Sequence, residues 1–171
     1  MALRAMDRAL LSIYLRDHYA ASAGGLALAR RALGPNHSLT IGIARDRESL
    51  EHLMRKLGIA PNRLKVGFVR LAERAGRLKL NGKVLGHSPL SDVVELEMLV
   101  VGVRAKEALW TALRRAEVSD DFDLDVLIQS ARVQAGDLEA LRLGAVTKAF
   151  CRATSSTRTG ASGSRHSSNR K

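Results

Sequence analysis

The hydrophobic positions of this chain recur at intervals of three and four residues, which is the spacing of one face of an α-helix. Four long segments with this spacing are predicted to be bundle helices, at residues 3–33, 38–57, 89–117 and 124–150. A further helix is predicted between the second and third of them, at 62–80, with a narrow apolar stripe made of Leu64, Phe68, Leu71, Ala75 and Leu78. The pattern therefore predicts an all-α protein.

Turn and capping residues mark the ends of these segments. The sequence GPN at 34–36 stops the first helix, and Gly58 follows the second helix where a C-terminal glycine is expected. Ser88 and Pro89 suit the N-cap and the first position of the helix at 89–117. The acidic run SDDFD, at 119–123, is favourable beside the N-terminus of the last helix because of the helix dipole.

The pair Asn81–Gly82 leaves two local structures open. It suits a two-residue β-hairpin turn between LKL and KVL, and it equally suits a helix that ends in a left-handed glycine cap. The helical spacing continues through Leu78, so the cap is the preferred interpretation.

The order of the helices predicts a four-helix bundle with one long crossover. Residues 3–57 and 89–150 form two helical hairpins, and the segment between them is long enough to carry the chain back along the bundle. This is the ferritin-like arrangement. Residues 1–150 are predicted to form the bundle domain, whereas 151–171 are rich in Ser, Arg, Thr and Gly and are predicted to be a disordered basic tail.

Four stretches of the sequence also resemble a known group of proteins. They are YLRDHYAASAGGLALARRALG, ARDRESLEHLMRKLGI, GRLKLNGKVLGHSPLSDVVELE and FDLDVLIQSARVQAGDLEALRL. They resemble small ferritin-like bundle proteins of unassigned function, over roughly residues 9–150. The resemblance implies a fold and no established activity.

Ferritin-like bundles often hold two iron ions, and such a site requires particular residues at particular spacings. The site needs a Glu-x-x-His pair from each of two helices, and no Glu in this chain is followed by His three residues later. Glu48 and His52 share a helical face, but no second pair of this kind exists, and the last helix contains no His. No metal or other cofactor is expected.

Polar residues interrupt the predicted apolar seams, where they need partners if they are buried. Their depths along a ferritin-like bundle suggest two clusters, one of Asp46, Glu97 and Arg142, the other of Asp17, Arg104 and Gln134. Three interpretations stay open: solvent-facing side chains in a seam misplaced by one residue, ion pairs that fix helix register, or a catalytic or ligand-binding site.

Charge raises the question of anionic partners. The net charge is +11, to which 151–171 contribute five basic and no acidic residues. The predicted helix at 62–80 carries a candidate anion-binding surface, Arg63, Lys65, Arg70, Arg74, Arg77 and Lys79. The simpler interpretation is that this helix lays its apolar stripe on the bundle and leaves its cations in solvent.

Composition narrows the remaining choices. Hydrophobic residues make up 46% of the chain and aromatic residues only 4%, which favours close helix packing. Cys151 is the single cysteine, so an intramolecular disulfide and a CxxC metal site are excluded. No signal peptide or membrane span is predicted, and a soluble, cytoplasmic protein is expected.

Three functions are compatible with this sequence. The preferred one is a non-enzymatic ferritin-like bundle that forms homo-oligomers or binds a protein partner. The second is a basic protein with weak, nonspecific affinity for nucleic acid. The third is a bundle enzyme or metal carrier that uses the buried acidic residues.

Overall fold

The computed structural model describes residues 7–60, 88–118 and 122–151, and the regular structure in these ranges is entirely helical. Helix α1 spans Arg8–Ala32 and α2 spans Ser38–Lys56. Helix α3 spans Pro89–Arg115 and α4 spans Leu124–Phe150. The prediction of an all-α protein with four bundle helices at these positions is confirmed.

Capping residues set the helix ends, and Ser88 and Gly58 do so where the sequence predicts them. The Ser88 hydroxyl accepts the Ser91 backbone N–H, with Pro89 at the start of α3. The Asp123 carboxylate accepts the Val126 N–H at the start of α4, at 3.0 Å. Gly58 follows α2 in the left-handed conformation, with φ at 67°, which a side chain would disfavour.

Contacts between helices fix their directions. The Arg8 guanidinium donates to the Leu57 carbonyl at 2.8 Å, which joins the start of α1 to the end of α2. The Arg31 guanidinium pairs with the Glu95 carboxylate at 3.0 Å, which joins the end of α1 to the start of α3. Helix α2 therefore ends at one end of the bundle, and α3 begins at the other.

Each helix contacts two neighbours. Helices α1 and α4 each pack against both α2 and α3, and the α3–α4 contact is the most extensive. The core between the four helices is built mainly of Leu, together with Ala, Val and Ile, and the fully buried Trp110 is its largest side chain.

Two of the predicted apolar seams are wrong. On α3 the seam that contains Val93, Leu96, Val103 and Trp110 is buried as expected. The spacing of the sequence also predicts a second α3 seam, through Leu90, Val94, Glu97, Val101, Arg104 and Ala108. That seam is exposed at Leu90, Val101 and Arg104. On α1 the spacing predicts a seam through Leu10, Tyr14, Asp17, Ala21, Gly24 and Leu28. Gly24 is buried as predicted, but Leu10, Tyr14 and Asp17 are exposed, and the helix also buries Leu15 and Ala29 outside that seam.

Several predictions fall outside the described residues. These are the crossover helix at 62–80, the Asn81–Gly82 turn and the tail beyond Cys151. In the part of the chain that the structure describes, no helix is long and apolar enough to cross a membrane.

Candidate functional site

A cavity of about 230 Å³ lies between α1, α2 and α3. The mouth of the cavity lies between α1 and α3. It is formed by the exposed residues of the wall: Ala21, Val101, Gly102 and Ala105. The deeper wall is made of buried side chains of α2 and α3, among them Ile43, Leu50, Leu99 and Trp110. The cavity thus leads from solvent into the core, and its lining is mostly apolar.

Small residues keep the mouth open. A Cβ atom built on Gly25 or on Gly102 would meet no heavy atom of the described residues within 4 Å, so neither glycine is in tight contact with another of the four helices. In the sequence, two glycines inside a predicted helix, Gly24 and Gly25, indicate the close approach of a second helix. Gly24 is buried, but Gly25 borders the cavity, so that explanation fails at Gly25.

The inner end of the cavity meets a group of hydrogen-bonded side chains that we call the polar cluster: Asp46, Lys106, Ser130 and Gln134. The Lys106 ammonium donates to Asp46 Oδ2 and, at 2.6 Å, to Gln134 Oε1. The Gln134 amide nitrogen donates to the same Asp46 oxygen at 2.9 Å and to the Ser130 hydroxyl at 3.1 Å. Asp46 and Lys106 also line the cavity, so the cluster forms part of its wall.

The polar cluster is held by three helices. Asp46 comes from α2, Lys106 from α3 and Gln134 from α4. Gly42 lies one helical turn before Asp46, and a Cβ built there would stand only 3.1 Å from the Gln134 amide nitrogen. Glycine at 42 therefore leaves the room in which the Gln134 side chain reaches Asp46.

Burial governs the electrostatics of this group. The side chains of Asp46 and Lys106 are only 7% and 15% exposed. Desolvation lowers the pKa of Lys106, because burial disfavours the charged amine, and the adjacent Asp46 carboxylate opposes that shift. The two groups form a buried ion pair. Either charge alone would be costly in the core, and each is stabilised by its partner.

His18 forms another part of the wall and is half-buried. Desolvation lowers the pKa of His18, and the neighbouring Asp17 charge opposes the shift. Tyr14 packs edge-on against the imidazole, with ring centroids 4.6 Å apart.

Arg47 and Trp110 also border the cavity. The Arg47 guanidinium donates to the Tyr19 carbonyl at 2.6 Å and to the Ser22 hydroxyl, and it lies 3.9 Å from the centroid of the Tyr19 ring. Arg47 is therefore already engaged. The indole N–H of Trp110 is fully buried and has no hydrogen-bond partner among the residues that the structure describes.

The two predicted polar clusters are not formed as expected. Asp46 and Gln134 are buried and bonded to each other, although they were assigned to different clusters. Asp17, Glu97 and Arg104 are exposed, so the two clusters do not form through them and the solvent-facing interpretation holds for these three. Each of the three lies on a seam of α1 or α3 that was placed on the wrong side of its helix.

Arg142 belongs to a surface group rather than to the core. It is half-buried and donates twice to the Glu139 carboxylate, at 2.7 and 2.6 Å. That hydrogen bonding raises the pKa of Arg142, and the charge of Glu97 adds to the shift. Arg142 is therefore bonded to Glu139 on its own helix, rather than to the Asp46 and Glu97 with which it was grouped in the predicted cluster. All six residues of the candidate anion-binding surface lie outside the described ranges: Arg63, Lys65, Arg70, Arg74, Arg77 and Lys79.

Lys106 is the site residue that sequence reasoning missed. The sequence nevertheless indicates that Lys106 faces the core. It shares one helical face with Leu99, Val103 and Trp110, at successive spacings of four, three and four residues. A lysine between Val103 and Trp110 in a buried seam indicates a buried cation.

The carboxylates of the described residues do not assemble into a metal site. Over 7–60, 88–118 and 122–151, no three His, Cys, Asp or Glu side chains are grouped closely enough to hold a metal ion. Asp46 is the buried carboxylate there, and its charge is met by Lys106.

The fold and site therefore define a helical bundle with an internal cavity bordered by a buried ion pair. Comparison with known proteins finds no matching family, no matching curated protein and no matching solved structure.

Proposed function

We propose that this chain is a non-enzymatic, ferritin-like binding bundle without a di-iron site, and that it binds a small molecule in the cavity between α1 and α3. The observation that carries the proposal is an apolar cavity that runs from an exposed mouth to the buried Trp110 and the polar cluster. Ligand sites commonly combine apolar walls with a few polar groups that converge on one place.

The ferritin-like part of the proposal is supported by helix direction. Helix α2 ends at the start of α1, and α3 begins at the end of α1, so one long connection along the bundle would join them. The absence of a di-iron site is supported by the surroundings of Asp46. A metal ion bound beside Asp46 would need further carboxylates as ligands, but the neighbouring group is the Lys106 amine.

A non-enzymatic role is supported by the way Lys106 is held. A buried lysine with a lowered pKa is a candidate nucleophile. Here the Asp46 carboxylate and the Gln134 carbonyl both accept from the ammonium group, which favours its charged and unreactive form.

The fluorescence of Trp110 provides the test, because the chain has a single tryptophan and it lines the cavity. We expect the neutral, apolar n-octanol to change the emission of Trp110 in a saturable way. Replacing Gly102 with Leu should abolish the change, because the new side chain enters the mouth.

Gly136→Leu is the matched control. Gly136 is also an exposed helical glycine with open space around it, but it lies on α4 and away from the cavity. G136L should respond to n-octanol like the unmodified protein. An equal response from G102L and G136L would rule out the cavity as the binding site.

Self-association is the second candidate function, and an exposed apolar face of α1 favours it. Leu10, Ile13 and Tyr14 are 64%, 56% and 37% exposed and are spaced by three and four residues, like side chains that pack against another helix. A second copy of this chain would cover the same face on both molecules.

Sedimentation velocity tests self-association. We expect a concentration-dependent dimer that Ile13→Glu disrupts. Ala23→Glu adds the same charge at an exposed position about 15 Å further along the same helix, and it should leave the dimer intact. A monomer at all concentrations would exclude this second candidate.

A further inference from the structure

We infer that the ligand of the cavity is a small apolar carboxylate of about nine or ten heavy atoms, whose carboxylate lies beside Lys106 and Trp110. This inference rests on the proposed binding function and adds the chemical class of the ligand. It follows from the size of the cavity, from the hydrogen-bond donors in its wall and from the charge of that wall.

The volume sets the size of the ligand. A dry apolar cavity of about 150 Å³ accommodates benzene, which has six heavy atoms. The cavity described above measures about 230 Å³, or roughly half as much again. A medium-length alkyl chain or a single substituted ring with one polar group is of this size.

The wall offers unused donors. An ammonium group has three N–H donors. Lys106 uses two of them on Asp46 and Gln134 within the described residues, which leaves one for a ligand. Trp110 also borders the cavity, and its indole N–H is buried without a partner among the same residues, which is costly. Because the residue is fully buried, a ligand acceptor reaches this N–H only after a small movement of the neighbouring side chains.

The acceptor in the wall, by contrast, is occupied. Asp46 Oδ2 accepts from both Lys106 and Gln134. A ligand with hydrogen-bond acceptors therefore complements this wall better than a ligand with hydrogen-bond donors. A carboxylate has two acceptor oxygens, and its hydrogen bonds to charged donors are stronger than those of a neutral group.

Charge favours the same ligand. The ionised side chains of the wall are Arg47, Lys106 and Asp46, which leaves one positive charge in excess. The pKa of His18 is lowered from 6.5, so His18 is mainly uncharged at pH 7 and does not add a further charge. A carboxylate would balance the excess, whereas an amine would face two cations.

Three probes of equal chain length separate the possibilities: octanoate, n-octanol and n-octylamine. Isothermal titration calorimetry on the full chain should rank octanoate first, at least tenfold tighter than n-octanol, because hydrogen bonds to charged groups contribute about 1.5–3 kcal/mol. n-Octylamine should bind most weakly. Gly102→Leu should abolish octanoate binding, and Gly136→Leu should retain it.

Trp110→Phe locates the carboxylate. Phenylalanine keeps an aromatic wall but removes the indole N–H, so W110F should weaken octanoate binding severalfold more than n-octanol binding. Lys106→Met is a less direct variant, because it leaves Asp46 buried without its ion-pair partner.

The outcomes distinguish the two levels of the proposal. Failure of all three probes to bind would overturn the proposed binding function itself. Binding of n-octanol as tight as octanoate would leave that function standing and overturn the carboxylate inference. Octanoate binding that G102L leaves unchanged would place the ligand outside the cavity, and an equal loss of both probes in W110F would place the carboxylate away from Trp110.

Discussion

Glu117 closes α3 with the backbone geometry that Gly58 adopts after α2. In both places the residue after the helix has positive φ, 50° at Glu117 and 67° at Gly58. The next N–H returns to a helix carbonyl in each case, from Val118 to Leu113 and from Ile59 to Met54. A side chain in this conformation costs about 1–2 kcal/mol, which glycine avoids.

Replacing Glu117 with Gly should therefore stabilise the protein. Glycine also adds freedom to the unfolded chain, worth about 0.5–1 kcal/mol, so the net gain is about 0.5–1 kcal/mol. Thermal unfolding followed by circular dichroism should show a Tm about 1–4 °C higher. Gly58→Ala, at the matching position, should lower the Tm, and a lower Tm for E117G would show that the Glu117 side chain stabilises the turn.

His18 predicts a dependence of stability on pH. Its folded-state pKa lies below 6.5 because burial disfavours the imidazolium, with the Asp17 charge opposing the shift. As pH falls below 6.5 the unfolded chain takes up a proton before the folded one, so folding stability decreases until the folded pKa is reached. Above pH 6.5 this contribution is complete.

An NMR titration of the His18 imidazole should give a midpoint below 6.5. Urea unfolding should show a lower free energy of unfolding at pH 5.5 than at pH 7.5, and His18→Gln should reduce that difference. A midpoint above 6.5 would mean that the Asp17 charge outweighs burial.

The sequence predicted residue types in the core better than it predicted their partners. Asp46 and Gln134 were predicted in the buried seams of α2 and α4, and both are buried. Asp17 and Glu97 were misplaced because consecutive helical residues point about 100° apart, so a small error in the seam moves a side chain to the surface. Which side chains meet across helices depends on rotation about the helix axes, which spacing alone does not determine.

Helix ends were predicted more accurately than helix faces. Local chemistry defines the ends, as Ser88, Asp123 and Gly58 show. The faces of α1 and α3 are harder to assign, because Ala and Gly occur on both sides of these helices and weaken the apolar pattern. The same small residues leave the mouth of the cavity open, so the cavity itself was not predictable from helical spacing.

Three helices meet at the ion pair of Asp46 and Lys106, and its removal tests how the bundle is held together. Lys106→Met should destabilise the protein by about 3 kcal/mol, because Asp46 then stays buried without a cation. The double variant Asp46→Leu with Lys106→Met should recover most of the loss, because a buried ion pair contributes little beyond apolar side chains of similar size.

Urea unfolding of the two variants measures these differences. Arg114→Met is the exposed control: Arg114 and Asp125 also form an ion pair, but their side chains are 50% and 70% exposed, so its loss should cost less than about 1 kcal/mol. A K106M cost no larger than that of R114M would mean that Asp46 is well solvated.

Positive charge is distributed unevenly over the whole molecule. The described ranges contain 15 Lys or Arg residues and 14 Asp or Glu residues. The full chain contains 28 Lys or Arg residues and 17 Asp or Glu residues. Residues 61–87 account for seven of the remaining cations and 152–171 for five. The described bundle is thus nearly neutral, and an affinity for nucleic acid would have to come from the other segments.

We expect weak, nonspecific binding of the full chain to duplex DNA at about 50 mM salt that is lost by about 200 mM, because cations bound to phosphates release counterions. Filter binding at the two salt concentrations measures it. Replacing Arg70, Arg74 and Arg77 together with Gln should weaken binding. Replacing Arg45, Arg55 and Arg132, which are exposed on the bundle, removes the same charge and should have little effect. Equal losses from both triple variants would show that net charge alone attracts DNA, and no retention at low salt would exclude the nucleic-acid function.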